Sequence, residues 1–284
     1  MKYQLTVLCP GIRTKNWLRL YESIGESFAH SWEIIFIGPY GLPEELRDKP
    51  NVTWIEDWGS PIRCQQIGLL SAQGVFITWA ADDGFFLPGA LTIAFNKFFE
   101  GVIDTAKTEN QEVVFKAMDW HTSTGIAFDY KKLVMGKYQE GPRVNDGMEK
   151  DWYYILSNHE SMKIPGVTKG FYMLNVGIVP TILLREVGGW DAASFEVCPM
   201  AYNDLALRLQ NFGVEFVIQD EMMFSCSHLP GLAGDHAPIH NAQIYHDEPL
   251  FKYIYKNHGA TRIFIDIDNW KDAPDRWTRR FSNE

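Results

Sequence analysis

The chain has 284 residues, 46% of them hydrophobic, enough to bury a sizeable core in one large α/β domain or two modest ones. A formal net charge of -10 argues against a general polyanion-binding surface, because gripping nucleic acid or anionic lipid through phosphates needs clustered Lys and Arg; only a local basic patch is left open. No apolar stretch approaches the roughly 20 residues that span a bilayer.

The opening "MKYQLTVLCPG" carries a single Lys and reads as a strand rather than a signal peptide. Cys9, Cys64, Cys198 and Cys226 form no C-x-x-C pair, which suits free thiols in a reducing compartment. Both features set the expectation of a cytoplasmic protein. Aromatic residues reach 14%, with ten Trp; such content serves core packing and also the binding of sugars or bases.

The N-terminal third alternates. Apolar runs at 5–8, 34–37, 52–55 and 75–79 predict strands, and the segments between them predict helices. Asn16 to Phe28 places Trp17, Leu20, Tyr21 and Ile24 on one face. Pro61 to Ala72 carries Ile62, Ile67 and Leu70 less cleanly, and a further helix after Pro88 carries Leu91, Ala94, Phe95 and Phe98. This βαβα order predicts an α/β fold with a mainly parallel, doubly wound central sheet. Ligands of such sheets collect beyond the carboxyl ends of the strands, where "CPGIRTKN", "GPYGLP", "EDWGSP" and "ADDGFFLPG" all fall.

From Gln111 the pattern changes. "EVVFKAMDW" and "TGIAFDY" read as strands, and the polar stretch from Lys137 to Lys150 as a mobile loop. There follow an apolar stretch at 171–179, a short helix through Thr181 to Val187, the turn "GGWD", a helix around Tyr202 to Phe212, and a strand pair, "VEFVIQ" and "MMFSCSH". One more helix is expected to end near "KNHG". The division expected is a first half over 1–118, a second half of the same domain over 119–246, and a helical tail over 247–284.

"LTVLCPGIRTKNWLRLYESI", "WEIIFIGPYG", "QIGLLSAQGVFITWAADDGFFLPGAL", "VGGWDAASFE", "NDLALRLQNFG" and "MMFSCSH", in that order, resemble the motifs of a family 2 glycosyltransferase with the GT-A fold. The resemblance spans residues 3 to 230. It implies a metal-dependent, inverting transfer of a sugar from a nucleoside-diphosphate donor, a UDP-sugar by preference, to a hydroxyl acceptor. The cofactor implied is a divalent cation, Mn2+ or Mg2+, which stabilises the departing diphosphate through hard carboxylate ligands.

On this resemblance Asp83 is a metal ligand, with Asp82 near the ribose or sharing the metal; the plainer alternative is a solvated turn capping the next helix. His228 is a further candidate for metal or diphosphate. Pro10, Arg13, Arg63 and Gln66 fall where the donor binds, the two arginines suited to phosphate oxygens. Trp190 falls where an aromatic residue meets the acceptor. The attacking hydroxyl needs a base, for which Asp204 is the first candidate and Asp191 and Glu196 the reserves; Asp204 could equally serve as helix charge. His236, His240 and His246 have no recognisable zinc spacing, and their Gly- and Pro-containing segment reads as a flexible lid over the donor.

Three departures stand out. Ala80 replaces an earlier acid, Gly38 and Pro39 replace the acidic turn that contacts the base, and Ala201 and Tyr202 replace a Glu-Asp pair. They keep open a catalytically silent binding module. A nucleotidyltransferase is a further alternative, although "CPGIRTK" is a faint phosphate loop. The acceptor expected is a carbohydrate, protein or small molecule. A nucleic acid is disfavoured by net charge but kept in view by the basic, aromatic "DRWTRRF".

Overall fold

A computed structural model describes residues 2–100, 130–140, 151–152, 174–226, 234–258 and 261–279. Among them strands β1 (Tyr3–Pro10), β2 (Trp32–Gly38), β3 (Val52–Glu56), β4 (Gly74–Trp79), β5 (Gly84–Phe86), β6 (Lys132–Glu140), β7 (Asp151–Trp152), β8 (Gly177–Pro180) and β9 (Glu215–Cys226) form one sheet. Its order is β3-β2-β1-β4-β8-β6-β9-β5, with β7 on β6.

The first half is parallel throughout: β1 pairs with β2 and β4, and β2 with β3. Beyond β4 the sheet is mixed, because β8 runs antiparallel to β4 and β6, while β6 and β9 are parallel. The expectation of a mainly parallel sheet therefore holds for one half only. The expected pair "VEFVIQ" and "MMFSCSH" is a single strand, β9. Its polar middle does not turn, because Gln219 is buried and donates to the carbonyl of Ala90, 3.3 Å away. The strands expected between Gln111 and Tyr130 lie outside the described residues, as does most of the Lys137 to Lys150 loop.

Two cores cover the faces of the sheet. On one, Trp17, Leu20 and Ile24 of the helix Trp17–Ser27 meet Phe36 and Phe76 together with Leu91 and Phe95 of the helix Ala90–Asn96. Each such side chain stabilises the fold by about 1.5–3 kcal/mol relative to exposure. On the other face the helices Pro61–Ser71, Thr181–Glu186, Cys198–Asn211 and Glu248–His258 contribute Ile62, Leu69, Leu183, Leu205 and Phe251. The helix Pro61–Ser71 starts where Ser60 accepts the backbone N–H of Arg63 at 3.1 Å and Pro61 occupies the first turn. It buries Ile62, Gln65, Gln66 and Leu69, whereas Leu70 faces outward.

The four cysteines are free. Among the described residues no helix is long and apolar enough to cross a membrane. The segment expected as a flexible lid is instead helical: His236–Ala242, one wider turn over Gln243–Asp247, then Glu248–His258. Pro238 is accommodated because it sits in the first turn, where its missing N–H costs no helical bond.

Candidate functional site

The chain lays down β1, β2 and β3 outward and then returns to the other side of β1 with β4. The strand order thus reverses between β1 and β4, the crevice where parallel sheets of this kind bind ligands. The loops leaving these two strands carry Arg13 and the pair Asp82 and Asp83.

Asp82 is almost fully buried. Its Oδ2 accepts the backbone N–H groups of Ile12 at 2.6 Å and Arg13 at 2.7 Å, and its Oδ1 pairs with Nη1 of Arg13. Arg13 Nη1 also lies 3.8 Å from Asp83 Oδ2, and Arg13 Nε donates to Asp235 Oδ2 at 2.8 Å. His236 Nε2 stands 3.5 Å from Asp83 Oδ2. Burial disfavours the charged form of Arg13, but Asp82, Asp83 and Asp235 more than offset this and hold the guanidinium above its usual range. The bond to Asp83 raises the imidazole of His236 against burial and the nearby Arg13. Repulsion between the adjacent carboxylates is thus relieved by a guanidinium and an imidazole of the chain itself.

Two glycines allow this packing. A Cβ on Gly11 would come within 3.0 Å of Asp82 Cβ and of the Trp17 indole nitrogen, and one on Gly38 within 2.1 Å of the Gly11 carbonyl oxygen. The place of the missing acidic turn after β2 is therefore filled by the backbone of the β1 loop. Pro10 ends β1, half-buried, in register with Ile37 of β2.

Arg63 and Gln66 are held by other partners. Arg63 pairs with Asp57 at 3.1 Å and donates to the carbonyls of Trp270 and Ala273 at 2.6 and 2.9 Å. Gln66 donates to the carbonyls of Gly188 and Ile267, and its Oε1 accepts the backbone N–H of Trp190 at 2.8 Å. Both tie the helix Pro61–Ser71 to a strap, residues 261–279, which carries one short 3-10 helix, Asn269–Asp272, and lies across the second core face.

The acceptor-side candidates sit under the same strap. Gly188 and Gly189 have φ of 87° and 73°, the left-handed region that glycine tolerates, and turn the chain so that Trp190 is fully buried, 5.6 Å from the ring of Trp79. Asp191 Oδ2 accepts from Arg262 Nη2 at 2.6 Å. Asp204 does not open its helix but sits inside Cys198–Asn211, fully buried. Its Oδ2 accepts from Arg208 Nε at 2.7 Å, and its Oδ1 from the Tyr255 hydroxyl at 2.7 Å and Arg262 Nη1 at 3.1 Å. Burial pushes the Tyr255 phenol up, and Asp204 adds to it. Glu196 pairs with Arg279 and accepts from the Trp277 indole at 2.8 Å. Tyr202, in the place of an acid, donates its hydroxyl to Gln65 at 2.8 Å.

His228 lies outside the described residues. Among those described, no group of His, Cys, Asp and Glu is gathered as the ligand set of a metal. A hard divalent cation needs about six oxygen ligands, yet the oxygens of Asp82 are taken by two N–H groups and a guanidinium, and Asp83 has Arg13, a like charge to a metal, 3.8 Å away. The described residues do not fit a resident Mn2+ or Mg2+.

Sequence reasoning set the segment of Asp235 and His236 over the donor as a lid, but it did not foresee the contacts of Asp235 with Arg13 and of His236 with Asp83, nor those of Arg262 with the carboxylates. Each approaches from a distant segment without a local motif.

No family model matches the chain, and no curated protein matches it. Among solved structures it is similar to S. aureus TarS 1–349 in complex with UDP, at 12% identity and a TM-score of 0.47, over 90% of this chain and 68% of that one. It is similar to S. aureus TarS at 15% and 0.45, over 90% of this chain and 43% of the other. A third likeness is to TarS 1–349 in complex with UDP-GlcNAc, at 14% and 0.41, over 80% and 59%. Likeness at this level leaves the chemistry to be argued from the side chains.

Proposed function

We propose that the chain is a glycosyltransferase of GT-A type that binds a nucleoside-diphosphate sugar at the β1/β4 crevice and passes the sugar to an acceptor hydroxyl. The observation that carries this reading is the meeting of Arg13, Asp82, Asp83 and His236 where the strand order reverses. Arg13 is suited to phosphate oxygens as a fixed, always-charged donor. Asp82 holds the β1 loop and Arg13 in place, and His236 adds a second positive donor. Transfer with inversion needs a carboxylate to take the acceptor proton. Glu196 suits this best: its side chain is 13% exposed, whereas Asp204 has none of its surface exposed and three donors to shed. The acceptor proposed is a carbohydrate, protein or small molecule, as the net charge disfavours nucleic acid.

A second reading, a nucleotide-binding module without turnover, is favoured by one observation. Asp191, Asp204 and Glu196 all spend their charge on arginines.

Thermal unfolding against UDP, GDP, CMP and TDP, each with and without Mn2+, tests the donor site, since a ligand of the folded form alone raises the midpoint. A rise with one nucleoside diphosphate that is sharply reduced in Arg13→Met is expected. No rise with any nucleotide overturns the reading. Transfer from the matching nucleotide sugar, measured by release of the diphosphate, separates the enzyme from the silent module.

A further inference from the structure

Arg13 and its carboxylates are not equally placed. Asp82 is inside, its side chain 4% exposed, and Asp83 is 9% exposed, but Asp235 keeps 34% of its side chain in contact with solvent. Arg13 itself is 20% exposed. Its Nη1 faces inward to Asp82 and Asp83, and its Nε is held by Asp235 at 2.8 Å. Asp235 is therefore the outermost acceptor on the guanidinium, and it lies just before the helix His236–Ala242 rather than on the sheet.

An incoming phosphate needs the same guanidinium and presents the same chemistry, an anionic oxygen accepting a charge-assisted hydrogen bond. It cannot take the inner face without dismantling Asp82, whose other oxygen fixes the β1 loop through two backbone N–H groups. The exposed edge is the one it can reach. Resting on the nucleotide-binding reading above, we infer that Asp235 is a built-in competitor of the donor phosphate: its carboxylate occupies Arg13 in the empty site and must be displaced when the nucleotide enters. Asp235 thus sets the affinity of the donor site from outside it. Carboxylate and phosphate exchange on one guanidinium, and no covalent bond is made or broken.

The test is titration calorimetry of UDP, with GDP and TDP in parallel, against the wild type, Asp235→Asn, Arg13→Met and the double variant. Exposed charge pairs are worth about 0.2–1 kcal/mol, or up to about fivefold in affinity. Asp235→Asn is expected to bind the preferred diphosphate about two- to fivefold more tightly, and the gain is expected to vanish on the Arg13→Met background, where there is nothing to compete for. Asp235→Ala serves as a second variant should Asn still accept from Arg13, with the same gain expected. Unchanged or weaker binding in both Asp235 variants, while the wild type binds, overturns the inference and leaves the donor-site reading standing. Absence of binding to wild type and variants alike overturns both. A gain that persists on Arg13→Met also overturns it, since general relief of negative charge would then be the cause.

Discussion

Two groups of carboxylates, around Asp204 and at the β1/β4 crevice, are each held by arginines but differ in how far they are buried. Around Asp204 the ion pair with Arg208 has no exposed side-chain surface on either partner, and the remaining donors of Arg208 go to the carbonyls of Val187 and Gly189. At the β1/β4 crevice Arg13 is 20% exposed and Asp235 34%. Charge pairing is common to both, so it does not mark a site. The difference is that the Asp204–Arg208 pair is spent inside the fold and reaches the surface only through Arg262, 23% exposed and shared with Asp191, whereas at the crevice the outer carboxylate on the guanidinium, Asp235, is itself open to solvent. Charged residues at motif positions therefore need their accessibility before their chemistry.

Breaking the buried network should cost most. Arg208→Ala leaves Asp204 with a lost partner in the interior, and a loss of about 3–5 kcal/mol is expected in urea unfolding; a midpoint unmoved from wild type would erase the distinction drawn here. Arg13→Ala, by contrast, is expected to cost about 1–3 kcal/mol yet to weaken nucleotide binding, shrinking the nucleotide-dependent rise in melting temperature. Next in size, Gly38→Ala drives a methyl to 2.1 Å from the Gly11 carbonyl. It is expected to cost about 1–3 kcal/mol and to weaken nucleotide binding by displacing the loop that carries Arg13. Gly41→Ala, with nothing within 4 Å of its Cβ, is the matched control and should do neither.

Glu196→Gln sharpens the comparison from the acceptor side. Its partner Arg279 is 40% exposed, so the stability lost is expected to stay within about 0.2–1 kcal/mol, while turnover should fall by about 100-fold or more. Equal turnover in variant and wild type would return the proton-accepting role to another carboxylate.

The smallest effect is expected outside both networks. His30 lies against Phe28 and Phe95, with ring centroids 5.3 and 5.0 Å away, and burial lowers its pKa. The unfolded chain therefore takes up its proton at higher pH than the folded one, and stability should decline as pH falls through about 6.5 toward the folded value. The melting temperature of His30→Phe should fall less than that of the wild type over this window; parallel curves would show that His30 titrates alike in both states.

The parallel half of the fold was legible because each of its strands carries a mostly apolar run, broken at most by a β-branched threonine, with a loop of unusual composition at its carboxyl end. β9 was not, because Gln219, Asp220 and Glu221 look like a turn, and only the buried contact of Gln219 with Ala90 shows that the strand continues. In the site, Arg13, Asp82 and Asp83 could be placed from their position after β1 and β4. The strap partners of Arg63 and Gln66 could not be read, since they come from a segment about 200 residues further along the chain. Asp235 and His236 were hidden by a Gly- and Pro-containing stretch that reads as loop, although Pro238 falls in the one turn of a helix that accepts it.

The strap across the second core face also bears on the order in which the molecule can be made. Arg63 finds its carbonyl partner Trp270 207 residues further along the chain, and Asp191 and Asp204 find Arg262 after 71 and 58. While the polypeptide is emerging from the ribosome, the helix Cys198–Asn211 can form, but the charge on Asp191 has no cation from the strap until residue 262 arrives. The face that the strap covers therefore lacks these partners until the last part of the chain is made, and contacts of long span are slow to close, so the helix Cys198–Asn211 and the turn before it should set after the sheet. A chain stopped after residue 258 would therefore show its protease-sensitive sites between 181 and 211 while the β1–β4 region stays protected, and uniform sensitivity along the chain would contradict this order.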